Sequence, residues 1–143
     1  MLNTAKSVAK YIINRLNSKN IEITHLKLQK LLYFCQKEYL QKYNKPLFEE
    51  DFEAWVHGPV LPEIYREYAK YGWDNIPKTL RTSIIFTTEK NHIKEVLEKY
   101  QNLSGKELEI LSHNEYSWIL ARKGVLFYAP SNSIITKESI RQS

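Results

Sequence analysis

The stretch EAWVHGPVLPEIY, residues 53–65, decides how this chain is to be read. Trp55 and Tyr65 are large aromatics of the kind that packs inside a protein. Between them Gly58 can take backbone angles closed to other residues and Pro59 holds its own φ fixed, so the pair predicts a rigid reversal after Trp55. Phe52, Ala54 and Val56 alternate with Glu53, Trp55 and His57, the period of a short strand. A helix is expected beyond the reversal. Pro62 suits its first turn, Glu63 complements its positive end, Ile64, Tyr65 and Tyr68 supply an apolar face, and Gly72 supplies the stop.

Working outward, the segments on both sides read as helices. Ala5, Val8, Ala9, Ile12, Ile13 and Leu16 recur at helical spacing, with Lys6, Lys10, Asn14 and Asn17 on the opposite face. Thr24 offers an N-cap hydroxyl to a second helix that runs to about Tyr43, with Leu28, Leu31, Leu32, Cys35 and Tyr39 on one stripe. Downstream, Thr82 to Thr88 is β-branched and reads as a second short strand, a partner for residues 52–56. Ile93, Val96, Leu97 and Tyr100 mark a further helix, and Ser104 with Glu107 forms a capping box that starts the next. Trp118 lies on the last long helix, whose end is marked by Arg122, Lys123 and Gly124. The expected fold is mainly α: a single compact helical domain of about five to seven helices over residues 1–129, with a short two-stranded β ribbon. Residues 130–143 read as a polar tail with one short helix after Thr136.

Size and composition narrow the function. A chain of 143 residues with 43% apolar content fits one core, and no apolar run reaches the length of a membrane span. The first residues lack the continuous apolar stretch of a secretory signal, so a cytoplasmic protein is expected. The single cysteine, Cys35, rules out an internal disulfide. The net charge of +5 is unevenly spread: residues 1–45 hold nine Lys/Arg against two acids, whereas residues 46–76 hold two against seven.

Candidate chemistry is sparse. Cys35 shares the apolar stripe of the second helix, where cysteine behaves as a small hydrophobe. His25, His57, His92 and His113 form no close pair at metal-ligand spacing, and Glu109 with His113, one turn apart, can hydrogen-bond on a helix surface without any metal. Glu49, Glu50, Asp51 and Glu53 read as a solvated acidic surface. With four glycines in the chain, no phosphate-cradling loop or dinucleotide fingerprint is present. No catalytic residue, metal or cofactor is therefore assigned.

Surfaces carry more information. Gln29, Tyr33 and Gln36 make one stripe of the second helix and Lys30, Phe34 and Lys37 its neighbour, an aromatic between lysines that could grip a partner or pack internally. Lys6, Lys10, Arg15, Lys27 and Lys30 could build a basic face for phosphates. Tyr11, Tyr33, Tyr65 and Tyr68 read either as core or as the lining of a groove for another chain.

Three motifs in order, LKLQKLLYFCQ at 26–36, EAWVHGPVLPEIY at 53–65 and HNEYSW at 113–118, resemble the Panacea-domain, or SocA-like, family of bacterial and phage antitoxins. The resemblance spans about residues 5–123 and departs from the family pattern at Cys35, where alanine is usual, at His57, and at Ser117, where proline normally precedes the tryptophan. It implies a noncatalytic cytoplasmic protein that binds and neutralises a cognate protein toxin encoded nearby, some relatives also delivering the toxin to a protease. The family motif maps onto Gln29, Lys30, Tyr33, Trp55, Gly58, Pro59, Tyr65, His113 and Trp118. Gln29, Lys30, Tyr33, Phe34, Lys37 and Tyr65 are expected to border the contact surface. Trp55, His57, Gly58, Pro59, His113 and Trp118 are expected to shape the scaffold. The alternative is a phage- or plasmid-associated regulator that binds nucleic acid through its basic N-terminal helices. A third reading is a small hydrolase or transferase using His57, His113 and nearby acids.

Overall fold

The computed structural model describes residues 3–79 and 84–143, and its architecture is mainly helical. Helix α1 (Ala5–Ser18) opens on a capping box between Thr4 and Ser7, and the Glu50 carboxylate accepts a further bond from the Ala5 N–H at 3.0 Å. A carboxylate there suits the helix's positive end. Helix α2 (His25–Tyr43) is capped by Thr24 and stopped by Asn44 in the left-handed conformation, a role that asparagine tolerates well.

Helix α2 is the axis of the molecule. It packs against α1, against the returning strand around residues 58–60 and against four helices later in the chain. With neighbours on nearly every side, it buries Leu28, Leu31, Leu32 and Cys35 together with Lys27, Gln29, Lys30 and Gln36. Each buried leucine contributes about 1.5–3 kcal/mol of apolar transfer energy. The buried polar groups must instead find partners, because an unpaired one costs as much as a leucine contributes. Gln36 finds the Leu47 N–H at 2.7 Å and the Phe48 carbonyl at 2.8 Å, tying down the loop that leads to the first strand.

Strand β1 (Phe52–Trp55) turns back into β2 (Gly58–Val60), with Trp55 opposite Gly58 and Ala54 opposite Pro59. The reversal is therefore made by Val56 and His57, and Gly58 and Pro59 stand in the returning strand rather than in the turn. Gly58 keeps a left-handed φ of 109°, and Pro59 is accommodated because β2 lies at the sheet edge, where its missing N–H breaks no ladder. The other side of β1 pairs with β3 (Ile134–Ile135), giving a three-stranded antiparallel sheet in the order β2-β1-β3.

The strand expected over Thr82 to Thr88 is not the partner of β1. Residues 82 and 83 lie outside the described residues, residues 84–86 are irregular, and Thr87 and Thr88 open helix α4 (Thr87–Tyr100). Helix α3 (Pro62–Tyr68) continues as a 3-10 turn to Tyr71 and stops at Gly72, as read from sequence. Helix α5 (Gly105–His113) starts at the Ser104–Glu107 capping box. The expected last long helix is divided at Asn114 and Glu115, so Trp118 sits on a short α6 (Tyr116–Ala121). Ser117, which stands where the family pattern has proline, lies inside that helix and does not cap it. Its own N–H is satisfied by the Ser143 hydroxyl at 2.9 Å.

Residues 130–143, read as a polar tail, supply β3 and the short helix expected after Thr136, α7 (Lys137–Arg141), and they bury Ile135 and Ile140 in the core. Among the described residues no helix is long and apolar enough to cross a membrane.

Candidate partner-binding surface and the clamped hairpin

The β1–β2 hairpin carries backbone carbonyls that the small sheet cannot satisfy, and side chains from α2, α5 and the end of α6 converge on them. Arg122, just past α6, donates from Nη1 to the Ala54 carbonyl at 2.8 Å. Trp118 donates from its indole Nε1 to the Trp55 carbonyl at 2.9 Å, and His113 Nε2 lies 2.9 Å from the Val56 carbonyl. A carbonyl can only accept, so His113 carries its proton on Nε2. From α2, Lys30 Nζ donates to the Pro59 carbonyl at 3.0 Å, and Gln29 bonds both the N–H and the carbonyl of Leu61. Successive carbonyls of an edge hairpin are thus paired by side chains, as buried backbone requires.

Gly58 is required at the centre of this clamp. A Cβ there would stand 2.5 Å from the Ser112 hydroxyl and 2.8 Å from Lys30 Cε. The helices and the strand approach closely because that side chain is missing.

Charge is confined beneath the hairpin. Lys30 has no solvent exposure, and burial pulls its ammonium down to about 7 against the opposing pull of Glu109. Burial likewise disfavours the charged form of Glu109, but the hydrogen bond from His57 and the nearby cations hold it below the usual carboxylate value. His57 Nδ1 lies 2.9 Å from that carboxylate while 71% of the His57 side chain is exposed, so Glu109 tethers a ring that faces solvent. His113 is depressed, chiefly by burial. Each of these groups is committed to a backbone carbonyl or to another member of the cluster. Among the described residues no group of His, Cys, Asp and Glu is placed to hold a metal. Burial raises the Cys35 thiol, the opposite of what a nucleophile needs.

The six residues expected to border a contact surface fall in different places. Gln29 and Lys30 belong to the clamp. Tyr33 is buried, its hydroxyl 2.7 Å from Ser117 Oγ and 3.2 Å from Glu115, and Phe34 is buried in a stack on Tyr100. Lys37 is paired with Glu115 at 2.5 Å. Tyr65 alone of the six is exposed, its ring edge-on to Trp55. Four of the six, Gln29, Lys30, Tyr33 and Phe34, are therefore buried and offer almost no area to a partner in this structure; for Phe34 the internal packing that the sequence left open is the one observed. The acidic run is also engaged, Glu50 at the start of α1, Asp51 with Lys137 and Glu53 with the Trp55 indole. Of the five cations nominated for nucleic acid, Lys27 and Lys30 are buried and donate to the carbonyls of Gln101 and Pro59, which breaks up the proposed basic face. Trp55, His57, Gly58, Pro59, His113 and Trp118 all lie on the hairpin or touch it.

A different surface is exposed. On α5, Ile110 and Leu111 face solvent, and on α6 Tyr116, Ile119 and Leu120 do so. Positions 116, 119 and 120 share one helix face, opposite the buried Ser117 and Trp118. The loop beyond them adds Leu126, Phe127 and Tyr128, exposed by 66%, 62% and 76%. That loop is held in shape by Arg122, whose Nη2 donates to the carbonyls of Leu126, Phe127 and Ala129. Phe127 in turn packs edge-on to His113 and Trp118. Arg122 therefore joins the clamp to the exposed apolar loop. Single exposed leucines are ordinary, but so many large apolar side chains along one short segment are characteristic of an interaction site. Sequence reasoning missed both features. The available signal was that Ile110, Leu111, Ile119 and Leu120 supply more apolar faces than two short helices can turn inward.

The family described as "Antitoxin SocA-like, Panacea domain" matches residues 28–119, which run from α2 through the clamped hairpin to α6. A curated relative, Antitoxin SocA of Caulobacter vibrioides (strain NA1000 / CB15N), is 40% identical over 68 residues, covering 48% of this chain and 36% of that protein. The chain thus matches little more than a third of the length of that relative. No solved structure matches it significantly. With most of the chain matched by the family, including the hairpin and the helices that clamp it, the protein belongs to the SocA-like antitoxins with a Panacea domain.

Proposed function

We propose that this chain is an antitoxin that neutralises a protein toxin by direct, noncovalent binding, covering the toxin's working surface with the apolar face of α5, α6 and residues 126–128. The observation that carries the reading is that face: large apolar side chains, exposed, on a segment braced by Arg122 and Trp118. Such a preorganised patch loses little entropy on binding, and its aromatic members, Tyr116, Phe127 and Tyr128, are the residue types enriched at interface centres.

Masking makes and breaks no bond, which accords with titratable groups engaged in holding the hairpin. The test is growth of a bacterial host that expresses the neighbouring reading frame from an inducible promoter, with and without this chain. Arrest relieved by co-expression, together with co-elution of the two proteins, supports the reading; arrest without relief removes it. The toxin's half-life in the same cells separates masking alone, which leaves it unchanged or longer, from delivery to a protease, which shortens it.

A further inference from the structure

A second surface feature lies between the hairpin, α3 and the segment that follows Ala129. A cleft of about 770 Å³ is bounded by Glu53, Trp55, Val56 and His57 of the hairpin, Pro62 and Arg66 of α3, and residues 130–132. Its volume falls within the range of ligand-binding clefts, roughly 300–1,000 Å³. Its apolar walls are the Trp55 ring, Val56, Pro62 and Pro130, and the exposed Tyr65 ring supports Trp55 from behind at a centroid distance of 5.1 Å.

The charges in the cleft are unequal in their commitments. Glu53 already accepts the Trp55 indole N–H at 2.9 Å, and the His57 ring is tethered through Nδ1 to Glu109. Arg66 is exposed and, among the described residues, has no ion pair or hydrogen bond. A planar guanidinium beside an aromatic wall is suited to a carboxylate held by two parallel hydrogen bonds. Trp and Pro walls fit an extended chain, whose side chains lie against rings without a helix groove to receive them.

We propose that this cleft binds an extended peptide segment of a partner protein, apolar or proline-bearing, with one acidic side chain that pairs with Arg66. The cleft uses residues other than those of the proposed toxin face, so Arg66 and Trp55 can be altered without changing Tyr116, Ile119 or Leu120.

The experiment is selection of a phage-displayed random peptide library against the full chain, followed by calorimetry of the enriched peptides as synthetic material. Enriched peptides are expected to share an acidic residue flanked by apolar or proline residues. Their affinity is expected to fall by about tenfold or more for Arg66→Glu, which lies on the exposed side of α3, and for Trp55→Ala, with folding checked by thermal melting. Exchanging the peptide's acid for lysine should restore binding to Arg66→Glu and abolish it with the parent. The absence of enrichment, or peptides that bind Arg66→Glu and the parent equally well, would overturn the proposal.

Discussion

The Lys30 ammonium and the Pro59 carbonyl meet at 3.0 Å with Lys30 shielded from solvent. This contact anchors the edge strand of the hairpin to the central helix, and it has a pH signature. Lys30 is depressed from 10.5 to about 7 by burial. Above that value the unfolded chain binds more protons than the folded one, so stability rises with pH. The rise is read between about 7 and the ordinary thiol value of 9.0, above which Cys35 and then the tyrosines lose protons in the unfolded chain and oppose it. Urea unfolding across this window should show the upward slope in the parent and a shallower one in Lys30→Met, because Lys27, also depressed by burial, contributes in the same direction. An equal slope in both would place the titrating group elsewhere.

Gly58→Ala is expected to destabilise the protein by at least about 2 kcal/mol, because it combines a left-handed φ with a clash against Ser112 and Lys30. Gly72→Ala is a useful comparison, since its φ is also positive but nothing lies within 4 Å of the added carbon. The drop in urea midpoint is expected to be larger for Gly58→Ala than for Gly72→Ala.

Arg122→Lys retains the charge but cannot reach Ala54 and the 126–129 loop at once. Charged hydrogen bonds contribute about 1.5–3 kcal/mol each, and a loss of about 3 kcal/mol is expected in equilibrium unfolding. Amide exchange across residues 126–129 should quicken more than in α1, because the loop loses the donor that shapes it.

Ile140→Ala tests whether the last helix belongs to the core. Ile140 is 1% exposed, and its truncation should cost about 2–4 kcal/mol. A cost near zero would mean that α7 is only loosely docked.

Most of the helices were legible in the sequence because their signals are local. Thr24, the Ser104–Glu107 box and the apolar spacing of residues 5–16 each act within one or two turns. What was misread depends on partners far along the chain. Strand β3 pairs with β1 from the other end of the molecule, and two residues of Ile leave too short a pattern to announce it. The Gly58–Pro59 pair looked like a turn because both residues favour turns; its actual place in an edge strand is set by Lys30 and Ser112, which local reasoning does not see.

The candidate site was harder for a related reason. Lys30, Gln29 and Tyr33 look like surface residues by type, and they are inside because each has a specific partner. A double Tyr33→Ala, Phe34→Ala substitution, which suits an exposed stripe, would here remove two core rings and is expected to unfold the chain. Ile119 and Leu120 look like core by type and are outside. Their exposure follows from the break at Asn114 and Glu115, which turns α6 so that Trp118 faces the hairpin.

The proposed toxin-binding role of the outer face of α6 can be tested with a surface variant. Tyr116 and Ile119 are 48% and 52% exposed, so the double variant Tyr116→Ala, Ile119→Asp should melt within a few degrees of the parent. The measurement is growth of the toxin-expressing host with this variant in place of the parent chain, at matched expression. Protection is expected to be lost while folding is kept; full protection by the folded variant would move the interface away from α6.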